Sequence, residues 1–138
     1  KGNIDKLYNN RSGYVQFEYA GKELRDMFAL SSLVISRAGA NAICELLALH
    51  KPNILIPLSA AASRGDQILN ARSFEKQGYS YVIEEENLTK ETLDAAIKKV
   101  MTEKETYISN MKSSQQLDSI HTILKLIEEA SEKKKKKA

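Results

Sequence analysis

With 138 residues, 42% hydrophobic and 28% charged side chains and a net charge of +3, the chain fits one globular domain with a real core. Much of the positive charge sits in the run Lys133 to Lys137; without it the balance is slightly negative, which excludes a body built to bind nucleic acid. A single cysteine excludes an internal disulfide and favours a reducing compartment, and no apolar stretch approaches the ~18 residues of a membrane span.

Residues 1–13 are polar, do not read as a signal peptide, and carry Gly2, Asn9, Asn10 and Gly13 as turn formers, so a loop is expected there. With no initiator Met, the chain is expected to be a piece of a longer protein or a trimmed one. Tyr14 to Phe17 alternates weakly and predicts a first strand. Leu24, Met27 and Phe28 recur at helical spacing and predict a short amphipathic helix over Glu23 to Leu30. Leu33 to Ile35 predicts a fully buried strand, residues 40–50 a helix ended by Lys51-Pro52, and Ile54 to Pro57 the next strand. A helix from about Gly65 to Lys76 should stop before Gly78, a residue suited to the left-handed position past a helix end. Ser80 to Glu84 predicts a last strand. Strands alternating with helices through short connections imply right-handed crossovers and a parallel sheet covered on both faces.

From Thr89 onward the pattern is helical. Leu93, Ile97 and Val100-Met101 form one apolar stripe; after a polar interval Leu117, Ile120, Ile123-Leu124 and Ile127 form another. Thr89 and Ser113 or Ser114 suit helix N-caps. The terminal EEASEKKKKKA should fray as a solvated block of like charge. The expected division is a polar segment over 1–13, an α/β domain over 14–102, C-terminal helices over 103–130 and a lysine-rich tail over 131–138.

Ser36 to Ala71 (SRAGANAICELLALHKPNILIPLSAAASRGDQILNA) organises the rest. Small residues at Ala38, Gly39 and Ala40 mark a turn into a helix, where backbone N–H groups and the helix dipole attract an anion. Glu45 lies within the first turns of that helix, and the polar loop Ser59 to Gly65 leaves the next strand. A carboxylate for a ribose diol, beside N–H groups for phosphates, suits a nucleotide. Arg37 either neutralises phosphate charge or anchors its loop through an ion pair. Asp66 and Gln67 open the next helix and either face a ligand or supply ordinary N-terminal polarity. Asn70 either binds a sugar or caps locally. Cys44 is expected to pack as a small hydrophobe between Ile43 and Leu46. His50 and His121 have no spacing for metal or triad chemistry.

The R-x-G-A-x-x-x-x-E-L-L-A-x-x-K-P-x-x-L-I-P-L core, followed by D-Q-x-x-N-A, closely resembles the donor-binding half of the MurG-type N-acetylglucosaminyltransferases of bacterial peptidoglycan synthesis, in glycosyltransferase family 28 of the GT-B superfamily. The likeness runs from about Tyr14 to Val100. It implies an α/β fold: a Rossmann-like parallel sheet flanked by helices, the GT-B C-terminal half with its first strand and glycine-rich loop missing, and a helical C-terminal tail. It implies binding of UDP-GlcNAc, with Glu45 on the ribose hydroxyls, Gln67 and Asp66 on the sugar hydroxyls, and the backbone at Tyr19-Ala20 on the uracil edge. Asp66 departs from the family's glutamine pair and can accept but not donate there. Arg37, Gly39, Ala40 and Asn70 complete the expected substrate-binding set.

No catalytic residue is expected in the chain itself, since the family's base and its lipid-linked muramoyl-pentapeptide acceptor site belong to an N-terminal domain. No cofactor and no metal are expected, in keeping with the absence of a DxD-like pair. The resemblance implies an inverting transferase that makes lipid II from lipid I, peripheral on the cytoplasmic face of the cell membrane. The lysine run reads either as a solvated tail or as a contact for anionic lipid. A non-catalytic nucleotide-sugar binding subunit or module is the alternative.

Overall fold

A computed structural model describes residues 4–5, 7–8, 11–62 and 64–114 of the chain. These divide into two compact units, one up to Ser31 and one from Ser32 onward.

The first unit contains α1 (Glu23–Leu30), where the sequence predicts it. Glu23 accepts the N–H of Gly21 before the helix, and Ser31 closes it with an N–H bond to the Met27 carbonyl. The strand expected over Tyr14 to Phe17 is not formed. Tyr14 N–H turns back onto the Arg11 carbonyl, and the Gln16 amide exchanges two 2.9 Å bonds with the Asp5 backbone. A strand persists only when a neighbouring strand takes its backbone groups, and here the Tyr14 N–H is taken by a local turn while the Gln16 side chain bonds the Asp5 backbone. The segment is held by Tyr8 and Tyr14, edge to face at 5.8 Å, with the Arg11 guanidinium 5.2 Å over the Tyr8 ring.

The second unit is the expected α/β arrangement. Its sheet has β1 (Val34–Ser36), β2 (Asn53–Leu55) and β3 (Tyr81–Val82), all parallel and in the order β1-β2-β3. Ile35 lies opposite Ile54, and Ile54 opposite Tyr81. Pairing runs one residue further, since Ile56 N–H reaches the Ser36 carbonyl and Ile83 N–H the Leu55 carbonyl. β2 is buried throughout. β1 is not, because it lies at the edge of this sheet: Ile35 is 44% exposed, which corrects the reading of that strand as fully buried.

The helices are α2 (Ala40–Ala48), α3 (Asp66–Lys76), α4 (Lys90–Thr102) and α5 (Lys104–Lys112). The crossovers β1-α2-β2 and β2-α3-β3 follow one another across the sheet, and α2 packs on α3 while α4 packs on β2. α2 buries Ile43, Leu46 and Leu47. At 100° per residue Glu45 points away from that face, and Cys44 falls at its margin and is exposed, not packed as expected.

Both α2 and α3 end in the same hydrogen-bond pattern. After α3, Gly78 and Tyr79 N–H bond the Glu75 and Phe74 carbonyls, both at 2.9 Å, with Gly78 left-handed at φ 71°. After α2, His50 and Lys51 do the same to Leu47 and Leu46, and His50 takes φ 50° where glycine would be unstrained.

Thr89 caps α4 as expected: its Oγ1 accepts the Thr92 N–H, and the Thr92 hydroxyl accepts the Thr89 N–H. The buried stripe of α4 uses Ala96 and Val100, while Met101 is 37% exposed. α5 occupies the polar interval; it is anchored by Tyr107 and Met111, four residues apart, and by the Asn110 amide donating to the Gly78 carbonyl at 3.1 Å. Ser113 closes α5, and the helix that it or Ser114 is expected to cap lies outside the described residues. The second apolar stripe, His121 and the lysine run lie outside the described residues.

Candidate functional site

In a parallel sheet all strands exit at one edge, and the loops that leave them converge there. In the second unit these are Arg37 to Gly39 after β1, Ile56 to Ser59 after β2, and Ile83 to Glu85 after β3. The two helices that follow β1 and β2 begin at the same edge.

Arg37 is tied down. Its Nη1 donates to the Ile56 carbonyl at 3.2 Å and its Nη2 to Glu85 Oε1 at 2.7 Å. Glu85 Oε2 also accepts the backbone N–H of Ser59 at 3.1 Å. One carboxylate at the end of β3 thus joins the ends of β1 and β2. These bonds, the guanidinium first and the Ser59 N–H next, hold the Glu85 carboxyl below the usual carboxylate range. The anchoring alternative for Arg37 is therefore the geometry found. Glu84 beside it pairs with Arg72, which also pairs with Glu75 at 2.7 Å.

Gly39 is the N-cap of α2, and no side chain caps the helix. The first N–H groups of α2, at Ala40 and the residues after it, have no intrahelical acceptor. Gly39 has φ −67°, open to any residue, and an added Cβ would meet nothing within 4 Å. Neither strain nor crowding calls for glycine; its lack of a side chain leaves the N–H groups open to approach. Glu45 is exposed and has no side-chain partner among the described residues.

At the start of α3, Gly65 is left-handed at φ 85° and Asp66 is exposed in the first turn. The half-buried Gln67 turns its Oε1 to the Leu58 N–H at 3.1 Å, so its carbonyl holds the loop and its amide N–H₂ is unspent. Asn70 donates to the Ala38 carbonyl at 3.1 Å and fastens α3 to the turn before α2, a local fastening role. Between α3 and the segments that leave β2 and β3 lies a cleft of about 250 Å³ lined by Pro57, Leu58, Ser59, Ile68, Glu84 and Glu85; none of the site residues expected from the sequence lines it.

Arg37, Gly39, Ala40, Gln67 and Asn70 therefore share one edge of the sheet, with Glu45 on α2 and Asp66 on α3. Tyr19, 86% exposed, and Ala20 belong to the first unit. Glu85 and the paired N–H groups of Leu58 and Ser59 were not anticipated. The available signal was the acidic run Glu84-Glu85-Glu86 directly after a predicted strand, in the position where Arg37 follows another. Among the described residues no group of three or more His, Cys, Asp and Glu side chains is placed to hold a metal ion.

The family model described as "Glycosyltransferase family 28 C-terminal domain" matches residues 1–136. The chain is 64% identical, over 129 residues and 94% of its length, to a protein of Lachnoclostridium phytofermentans named "UDP-N-acetylglucosamine--N-acetylmuramyl-(pentapeptide) pyrophosphoryl-undecaprenol N-acetylglucosamine transferase". Proteins of the same name from Lachnospira eligens and Geobacillus thermodenitrificans are 60% and 58% identical over 95% and 93% of the chain. The chain spans 36–37% of the length of these curated relatives.

Proposed function

The chain belongs to the family of glycosyltransferase family 28 C-terminal domains, and from that premise we propose that it binds UDP-GlcNAc as the donor half of an inverting N-acetylglucosaminyltransferase. The observation that carries this reading is α2: an uncapped helix start at the carboxyl edge of a parallel sheet, with a glutamate on its open side that has no side-chain partner among the described residues. The Glu45 carboxylate accepts from the two ribose hydroxyls. The N–H groups that open α2, at Ala40 and beyond, take diphosphate oxygens, helped by the helix dipole. The free amide of Gln67 and the Asp66 carboxylate hold hexosamine hydroxyls.

The relatives' name describes transfer of N-acetylglucosamine to a muramyl-pentapeptide pyrophosphoryl-undecaprenol. In the reaction we assign to the parent enzyme, an acceptor hydroxyl attacks the anomeric carbon from the face opposite the diphosphate. The bond to the diphosphate oxygen breaks, UDP leaves with that electron pair, and the configuration inverts. A base outside this chain takes the hydroxyl proton. The N–H groups at the α2 start stabilise the charge that develops on the departing diphosphate. No helix of the described residues is long and apolar enough to cross a membrane. We propose that the enzyme works at a membrane surface, peripherally and on the cytoplasmic side; the lipid-linked acceptor in the relatives' name supports the membrane part of this reading.

Gln67 tests the sugar assignment. Removing the side chain would also strip the Leu58 N–H of its acceptor, so Gln67→Glu is the informative change: it keeps an oxygen for that N–H and replaces the amide donor with a charged carboxylate oxygen. UDP-GlcNAc affinity should fall by about 0.5–1.5 kcal/mol in calorimetry, while UDP affinity stays the same. An equal loss for both ligands would mean that Gln67 faces the phosphates, where the added charge repels either.

A further inference from the structure

The Glu85 carboxylate occupies a set of donors that a phosphate would also choose. Its Oε1 takes a guanidinium N–H of Arg37 at 2.7 Å, and its Oε2 takes the Ser59 backbone N–H at 3.1 Å. The neighbouring Leu58 N–H is taken by Gln67 Oε1. A guanidinium beside successive backbone N–H groups is a built anion cradle, filled here by the chain's own oxygens. The pair is not locked in: the Arg37 and Glu85 side chains are 49% and 33% exposed, and Glu85 stands at the start of a short 3-10 turn, Glu85–Asn87. Ion pairs so open to water are weak, and a dianionic phosphate competes well for the same donors.

We propose that Glu85 is a resident counter-anion at the donor site, which a ligand phosphate displaces from Arg37 and from the Ser59 N–H, so that Glu85 sets the anion affinity of this edge. The proposal rests on the donor reading above. It also gives Arg37 two successive partners: the loop-anchoring ion pair with Glu85, and the phosphate that takes its place. The bond to the Ile56 carbonyl is independent of Glu85 and keeps the guanidinium at the edge through the exchange. A plain strut joining three strand ends makes the opposite forecast, because loosening a strut disorders the site and weakens every ligand.

The test is binding of UDP, inorganic pyrophosphate and uridine to the 138-residue chain and its Glu85→Gln variant at low salt. UDP and pyrophosphate should tighten roughly three- to tenfold in the variant, with a steeper loss on adding salt, while uridine binding does not change. In an Arg37→Gln background the gain should vanish, since the freed guanidinium is its source. Glu85→Asp keeps the charge but is too short to span both donors, and should give a smaller gain in the same direction; it provides the reading if Glu85→Gln does not fold. Unchanged or weaker pyrophosphate binding in the folded variants overturns the proposal and leaves Glu85 a strut. If UDP and uridine bind neither protein while pyrophosphate still tightens, the donor reading fails and the Glu85 assignment stands.

Discussion

Glu45→Ala should weaken UDP binding by about 1.5–3 kcal/mol, the worth of hydrogen bonds to a charged acceptor. The carboxylate is exposed, lies off the packed face of α2 and has no partner among the described residues, so its removal breaks nothing in the fold. Folding stability should accordingly stay within about 0.5 kcal/mol of the parent. The ribose assignment adds a sharper requirement. The parent chain should prefer UDP over 2′-deoxy-UDP, and the variant should bind the two alike, because the group that distinguishes them is gone. A variant that still prefers UDP would remove Glu45 from the ribose. A loss of stability alongside affinity would show a structural part for a side chain that has no hydrogen-bond or ion-pair partner among the described residues.

The largest effect on folding is expected at Leu55. It is 0% exposed in the central strand, paired on both sides, and it leads into the loop that carries Leu58 and Ser59. Leu55→Ala should cost about 2–5 kcal/mol, the lost transfer energy plus a cavity that parallel neighbours cannot collapse to fill. Ile35 in the neighbouring strand β1, opposite Ile54, is equally apolar in sequence but 44% exposed. Ile35→Ala should cost below about 1 kcal/mol, since much of the side chain already meets water. Denaturant unfolding of the two variants reads the difference directly. Similar costs at both positions would contradict the placement of β1 at the sheet edge.

The parallel sheet and its helices were legible because each signal is local. Leu33 to Ile35 and Ile54 to Pro57 are short apolar runs, Ile43, Leu46 and Leu47 recur at helical spacing, and Gly78 and Thr89 mark helix ends by their own chemistry. What was misread depends on partners distant in sequence. Tyr14 to Phe17 alternates like a strand but finds no neighbour to take its N–H groups, and Gln16 spends its amide on Asp5 instead. Cys44 sits beside buried Ile43 in sequence but a third of a turn away in space, so adjacency misled where angle decides. α5 has only Tyr107 and Met111 to bury, too few for a periodic signal, and leans on Asn110 bonding the end of α3.

The site shows the same divide. Motif spacing reached Arg37, Gly39, Ala40, Glu45, Asp66, Gln67 and Asn70, which the fold distributes over one edge and the helices leaving it. It did not reach the partner of Arg37, because Glu85 lies 48 residues away and no period links the two. Nor did it foresee that Gln67 and Asn70 spend part of their hydrogen bonding on the Leu58 N–H and the Ala38 carbonyl. The donor atoms left for a ligand are set by what the fold has already used.

Amide-resolved NMR titration of the chain with UDP-GlcNAc asks where the ligand sits without relying on a substitution. Saturable shifts are expected at Gly39 to Ala42, at Leu58 and Ser59, and at Asp66 and Gln67, all at the carboxyl edge of the sheet. Asn53 and Ser80, buried at the opposite ends of their strands, should stay still. Shifts confined to Asn53, Ser80 and their neighbours, or none at the α2 start at saturating ligand, would contradict a donor site at that edge.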